Sequence, residues 1–239
     1  MVRASFPDIF GKAALNSSEL RKLQRLATPV RFRSGQQIFA EGDVATEVYG
    51  LSRGVVRVCK KLDDGRHHVL RFALPGDLLE LPRGDRHAVS ADTIGPVSVS
   101  RFARCELLEL IGSSRALTQL MIDVATEELK RSRDQMLFLG RGVPEEQLTA
   151  FLVNWRKRLP RRSGRFVSLP MSRRDIAAHL GMAPETLTRT FAKLEQKEIV
   201  QVEANGVELL DSGRSSGSAK SMSRERMASH DGLPRSGRL

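Results

Sequence analysis

The sequence predicts an α+β protein: an antiparallel β jelly roll, one long helix, and a C-terminal helix-turn-helix followed by a β-hairpin wing. Three observations carry this. Gly35, Gly42, Gly54, Gly65 and Gly76 punctuate short segments between Val30 and Arg104, several of which alternate with a period of two. The stretch "SSRALTQLMIDVATEELKRSRDQMLFLG" then runs without Pro and with Gly only at its end. Finally "SRRDIAAHLGMAPETLTRTFAKLE", Ser172 to Glu195, reads as two short helices about a tight turn.

The bulk properties narrow the partner. A chain of 239 residues is long enough for one large or two small domains, and its net charge of +11 favours an anionic partner, nucleic acid before an acidic membrane surface. No segment approaches a membrane span, and the N-terminus has no apolar core of signal-peptide length. Cys59 and Cys105 are far apart, so neither a disulfide framework nor a metal-ligand cluster is expected, and a reducing cytoplasm is the expected setting.

The elements follow in order. Residues 1–29 form an N-terminal arm, in which "NSSELRKLQRL" is a short amphipathic helix. Residues 30–112 form the β-roll. In "GVVRVCKKL", Val56 and Val58 face one way and Arg57, Cys59 and Lys61 the other; in "HHVLRFAL", Leu70, Phe72 and Leu74 share a face, and "LDDGR" between the two runs is a hairpin turn. "CELLELIG" is a short helix. The long helix spans 113–140, with Leu117, Leu120, Met121, Val124, Leu129, Met136 and Leu137 mostly at threes, fours and sevens. It has little intrachain core to cover, so a second copy is its expected neighbour; packing on the β-roll alone is the plainer alternative.

Residues 141–211 form the third unit. Pro144, Glu145 and Glu146 open a helix with Leu148, Phe151, Leu152 and Trp155 on one stripe. From Trp155 to Arg174 there are eight Arg or Lys and no acid. A short strand "RFVSL" precedes the two short helices, and "EIVQVEANGVELL" gives two strands across Asn205-Gly206. Residues 212–239 collapse to Ser, Gly and Arg and are expected to be a disordered basic tail.

Ser172 with Asp175 resembles a capping box, Gly181 allows the sharp turn, and Pro184 starts the second helix. Leu187, Phe191 and Leu194 form its buried stripe, leaving Glu185, Thr188, Arg189 and Lys193 outward. A generic helical hairpin would explain that stripe equally well, but not the turn glycine, the wing and the basic run together. The arrangement is that of a helix-turn-helix whose second helix enters the DNA major groove. Arg189 can donate to guanine O6 and N7, Glu185 can accept from cytosine N4, and Thr188 can touch a thymine methyl. An ion pair between Glu185 and Arg189 is the plainer alternative. Arg161, Arg162, Ser172, Arg173, Arg174 and Lys193 are the phosphate candidates, which fix position rather than sequence.

Over residues 20–211 this order of parts, with "IFAEGD", "GVVRV", "PGDLLEL" and "RRDIAAHLGMAPETLTR", resembles the Crp-Fnr superfamily of bacterial transcription regulators. Glu185-x-x-Thr188-Arg189 is similar to the Glu-x-x-Ser-Arg of its FixK and Fnr branches, and "RHAVSADTIG" is FixK-like. The resemblance implies a cyclic-nucleotide-binding-type β-roll, a homodimer on a TTGAT-like palindrome, activation of transcription, and RNA polymerase as a partner. Thr190 stands where an aliphatic residue is commoner.

Members that bind cyclic AMP hold it with Gly-Glu-Leu and Arg-Ser-Ala, where this chain has Leu79-Glu80-Leu81 and Arg86-His87-Ala88. Glu80, Arg86 and His87 are therefore the candidate effector residues, and an effector-gated regulator is the alternative to one acting without cyclic AMP. No Cys precedes Cys59, so an Fnr-type iron–sulfur cluster is not expected. Ser172 occupies the place of the redox-sensitive Cys of some FixK-like proteins, which leaves Cys59, on the polar face of its strand beside Lys60 and Lys61, as the redox candidate. His67, His68 and His87 are expected at the surface. No catalytic set, metal site or cofactor is indicated.

Overall fold

The computed structural model describes residues 15–210 except 16, 63, 64, 66, 82, 83, 141 and 160–164. The N-terminal arm before residue 15, the basic tail, Arg161, Arg162 and most of the "LDDGR" turn therefore lie outside the described residues.

Helix α1 (Ser17–Leu26) leads into the β-roll, formed by β1 (Thr28–Phe32), β2 (Gln37–Phe39), β3 (Glu47–Lys61), β4 (His67–Ala73) and β5 (Ser90–Ala103). All pairings are antiparallel, in the order β1-β5-β3-β4, with β2 also on β5. The long pair β3–β5 runs from Glu47↔Ala103 to Cys59↔Ser90, with register breaks between Leu51 and Arg53 and between Arg53 and Val55. Such bulges bend a long strand pair so that it can wrap a core. Gly54 sits at this break with φ 93°, where an added Cβ would lie 2.7 Å from the Pro96 carbonyl oxygen. The interior is filled by Phe39, Leu51, Val56, Val58, Val97 and Val99, among others.

Helices α2 (Arg104–Ser113) and α3 (Arg115–Leu139) follow. The start of α3 has intrachain work to do. Leu117 and Leu120 are buried, and Met121 partly so, in a cluster with Leu23, Val48, Phe102 and Leu107. This corrects the assignment of Leu117 and Met121 to a dimer face, because the first two turns of α3 close the base of the β-roll. Beyond them one face of the helix is open, with Ile122 53%, Leu129 51% and Met136 71% exposed, while Glu128 and Arg131 on another face pair with Arg71 and Asp77 of the β-roll.

The third unit comprises α4 (Pro144–Arg158), β6 (Phe166–Ser168), α5 (Arg173–Leu180), α6 (Pro184–Gln196), β7 (Val200–Glu203) and β8 (Gly206–Leu209), with sheet order β6-β8-β7. The stripe Leu148, Phe151, Leu152 and Trp155 of α4 is buried against Ile176, Leu187, Phe191 and Leu194. The wing turn is Ala204–Asn205, one residue earlier than the sequence suggested, since Glu203 already pairs with Gly206. Gly206 serves close packing: a Cβ there would lie 2.2 Å from the Val167 carbonyl oxygen of β6.

The core of this unit does not stop at its own boundary. Val55, Cys59, Val69, Phe72 and Leu74, on the outer face of β3 and β4, belong to the same buried cluster. Two expectations change as a result. Cys59 does face away from Val56 and Val58, but the face is covered by the C-terminal unit, so Cys59 is only 1% exposed. The β3–β4 register breaks between Val58↔Arg71 and Cys59↔Val69, leaving Leu70 as the extra residue, so Val69 rather than Leu70 joins Phe72 and Leu74.

Candidate nucleic-acid interface

The first helix of the pair is fixed by its cap. Ser172 Oγ accepts from the Asp175 N–H at 3.1 Å, and Asp175 Oδ2 accepts from the Ser172 N–H at 3.0 Å, a reciprocal capping box. The short Asp suffices where Glu or Gln is usual. Gly181 ends the helix at φ 65°, donating to the Ala177 carbonyl oxygen, and Met182 donates to the same oxygen at 3.0 Å. Ala177 is itself buried in the core of this unit.

Pro184 starts α6. Its buried stripe is Leu187, Thr190, Phe191 and Leu194. The polar Thr190 is accommodated because its hydroxyl donates to the Thr186 carbonyl at 2.7 Å, so no buried donor is stranded. The opposite face presents Glu185, Thr188 and Arg189, all exposed. No ion pair joins Glu185 and Arg189, and among the described residues neither has an ion-pair partner. Thr188 turns its hydroxyl back to the Pro184 carbonyl at 3.0 Å.

The phosphate candidates divide. Arg174 is exposed. Arg173 is not outward: its guanidinium lies 3.3 Å over the Phe191 ring, and burial pushes its pKa down from the usual arginine value. Lys193 is exposed but pairs with Glu145 in the first turn of α4 at 3.1 Å. The Ser172 hydroxyl is occupied in the cap, where it also donates to Asp175 at 2.6 Å. Arg158, one of the eight basic residues of that run, faces inward to Asp77 and the Phe72 carbonyl.

Sequence reading missed the side chains that seat this unit on the β-roll. Arg57 Nη1 donates to Asp175 Oδ1 at 2.7 Å and its Nε to Asp92 at 3.3 Å. Burial works against the Asp175 charge, but hydrogen bonds from Ser172 and Arg57 outweigh it and lower its pKa. His179 donates from Nδ1 to the Val69 carbonyl at 3.0 Å and packs on Phe72 and Phe151. Its burial pushes the pKa down to about 4. Only an unexplained charged residue on a strand face, Arg57, could have signalled this contact.

The effector candidates are engaged with one another and with the backbone. Glu80 accepts from the Ala88 N–H at 3.0 Å and lies 2.6 Å from His87 Nδ1. Arg86 donates to the Gly42 carbonyl at 2.6 Å rather than pairing with Glu80. His87 is not at the surface: it is buried, stacked on Phe39 with ring centroids 3.9 Å apart. Burial also pushes the Cys59 thiol up to about 11, the reverse of the thiolate character a redox switch needs.

Comparison with known proteins accords with this geometry. Residues 29–114 match the cyclic nucleotide-binding domain and residues 146–214 the Crp-like helix-turn-helix domain. The chain is 44% identical to the transcriptional activatory protein AadR of Rhodopseudomonas palustris, over 84% of each chain. It is 41% identical to the nitrogen fixation regulation protein FixK of Bradyrhizobium diazoefficiens, over 84% of this chain and 86% of that one. The solved structure of FixK2 from Bradyrhizobium japonicum superposes with a TM-score of 0.72 at 30% identity, covering 87% of this chain and 99% of that one. With a capped helix-turn-helix, a wing and a long helix on a β-roll, the chain belongs to the Crp-Fnr family of DNA-binding transcription regulators, alongside its FixK and Fnr-type members.

Proposed function

We propose that this regulator acts as a homodimer on a TTGAT-like palindrome, as an activator, and without cyclic AMP or an iron–sulfur cluster. The observation that carries the reading is the solvent-facing trio Glu185, Thr188 and Arg189 on a helix whose opposite face is locked in the core. A carboxylate, a methyl-bearing side chain and a guanidinium in that order suit a C·G pair flanked by thymine. Arg174, Arg161 and Arg162 supply phosphate contacts. The relatives named as activators support activation, with RNA polymerase as the partner that activation requires, in the cytoplasm where DNA lies. The chain works by binding, not by turnover.

The dimer rests on the free face of α3. Thr118, Ile122, Ala125, Leu129, Ser132 and Met136 follow the alternating fours and threes of a coiled-coil seam. Val124 is exposed but falls outside that series.

Cyclic AMP independence rests on the β-roll. Leu79 stands where the nucleotide's close approach wants Gly, Glu80 is committed to His87 and Ala88, and the His87 ring on Phe39 replaces a phosphate-binding hydroxyl. These residues do not fit the nucleotide as they are placed.

Fluorescence anisotropy on the duplex TTGATNNNNATCAA and a scrambled control, at fixed salt and in reducing buffer, tests the reading. Tight binding to the palindrome alone, unchanged by cyclic AMP, is expected. Binding only with cyclic AMP would establish the effector-gated alternative, and equal binding to both duplexes would remove sequence recognition.

A further inference from the structure

The covalent link between the long helix and the DNA-binding unit is a poor splint. α3 ends at Leu139 and α4 begins at Pro144, and Gly140 and Gly142 stand between them. Glycine leaves many backbone conformations open, so this junction cannot by itself set how the DNA-binding unit is turned relative to the long helix. Something else must.

Among the described residues, polar contacts join the β-roll to the DNA-binding unit at three separate places, and Gln135 of α3 adds a longer one, 3.4 Å from His179 Nδ1. Arg57 of β3 holds the N-terminal end of α5 through Asp175, at 2.7 Å. The Val69 carbonyl of β4 holds the other end of α5 through His179, at 3.0 Å. Asp77 holds the C-terminal end of α4, where Arg158 donates both to its carboxylate and to the Phe72 carbonyl. A contact at one point would leave the unit free to swivel. Contacts at both ends of α5 and at the end of α4 do not.

Asp77 also reaches the long helix. Arg131 lies 3.4 Å from its other oxygen, and Arg71 beside it pairs with Glu128 at 2.9 Å. The Asp77 carboxylate is itself oriented by the Leu74 N–H at 2.8 Å. One loop of the β-roll thus bonds both the helix that would meet the second copy and the unit that carries the reading helix.

We propose that Arg57 and Asp77 are positioning residues for DNA recognition, which fix the separation of the two reading helices in the dimer by clamping each DNA-binding unit to its own β-roll. The proposal rests on the dimeric reading above. Neither residue touches DNA. They act through the capped α5 and through α4, so the β-roll serves as a splint that keeps the binding-competent orientation populated without an effector. When that orientation is only a fraction of the population, apparent affinity falls by the same fraction.

Spacing tolerance is the readout that a merely structural role would not move. The duplexes are the palindrome TTGATNNNNATCAA, the same palindrome with its spacer one base pair shorter or longer, and a single half-site, all at one salt. The wild-type chain is expected to prefer the matched spacing. Arg57→Ala with Asp77→Asn should weaken binding to the matched spacing by roughly tenfold. Binding to the shifted spacings and to the single half-site should stay unchanged, so the preference narrows. Arg57→Ala alone, at a half-exposed position that leaves the core intact, should move the ratio in the same direction, and Arg57→Lys should restore most of it.

An equal loss on every duplex including the half-site, or a spacing preference that survives in the double variant, would overturn the positioning role while leaving the regulator reading in place. A wild-type chain with no preference for the palindrome over the single half-site would overturn the dimeric reading and the proposal with it.

Discussion

Arg57, on a strand of the β-roll, donates a hydrogen bond across 2.7 Å to Asp175, the residue that closes the capping box of the helix-turn-helix. One carboxylate therefore serves two levels of structure. Its Oδ2 satisfies the start of α5, and its Oδ1 ties α5 to a different domain. The second role explains why a charged side chain sits on a strand face otherwise occupied by Val55 and Cys59, which are buried there.

Arg189 is exposed and, among the described residues, has no ion-pair partner, so it is available to a base edge. Arg189→Ala should cost about 1–3 kcal/mol of affinity on the matched palindrome and relax the preference at one base pair. Competition titrations against duplexes substituted one pair at a time measure this. Equal loss on matched and substituted duplexes would reassign Arg189 to the phosphates.

Leu129 is half-exposed in the middle of the proposed α3 seam, between Ile122 and Met136. Leu129→Glu should separate the subunits, since like charges would meet at the centre of the seam. Sedimentation velocity should show a monomer for the variant and a dimer for the native chain. Leu117→Ala, by contrast, should lower stability by about 2–5 kcal/mol through a cavity within one subunit and leave association intact.

His179 carries a pH dependence whose sign follows from burial. Its folded-state pKa, about 4, lies below the ordinary 6.5, so between these values the unfolded chain binds the proton that the folded chain refuses. Stability should therefore fall as pH drops from about 6.5 towards 4, by up to roughly 3 kcal/mol from this residue. In denaturant titrations across that range, His179→Gln should show a shallower decline than the native chain. Parallel declines would mean that the buried imidazole is not the group responsible.

Gly206 is held by proximity. An added Cβ would meet the Val167 carbonyl oxygen at 2.2 Å and the Phe166 ring at 2.8 Å. Gly206→Ala should thus force β8 away from β6, costing about 1–3 kcal/mol in thermal unfolding. An unchanged transition would show that the wing sheet can open without penalty.

What the sequence made legible was local. Ser172, Asp175, Gly181 and Pro184 announce the helix-turn-helix because caps and left-handed turns are decided within a few residues, and each appears where expected. The β-roll was legible from spaced glycines and alternation. What stayed hidden depends on which surfaces meet. Alternation placed Cys59 on the outer face of β3 correctly, yet nothing in the strand tells that another domain buries that face. Arg173 and Lys193 have long side chains that choose partners in space, Phe191 and Glu145, that sequence distance conceals. The apolar positions of α3 share one helical texture, although Leu117 belongs to an intrachain core and Met136 lies on an exposed face.

A hydroxyl-radical footprint of the chain on DNA containing one TTGATNNNNATCAA palindrome, without cyclic AMP, tests the recognition of two half-sites most directly. Two protected patches related by the dyad are expected, with centres one helical turn or roughly 34 Å apart, one for each α6. A single patch, or protection spread evenly along the duplex, would contradict a dimer that reads two half-sites.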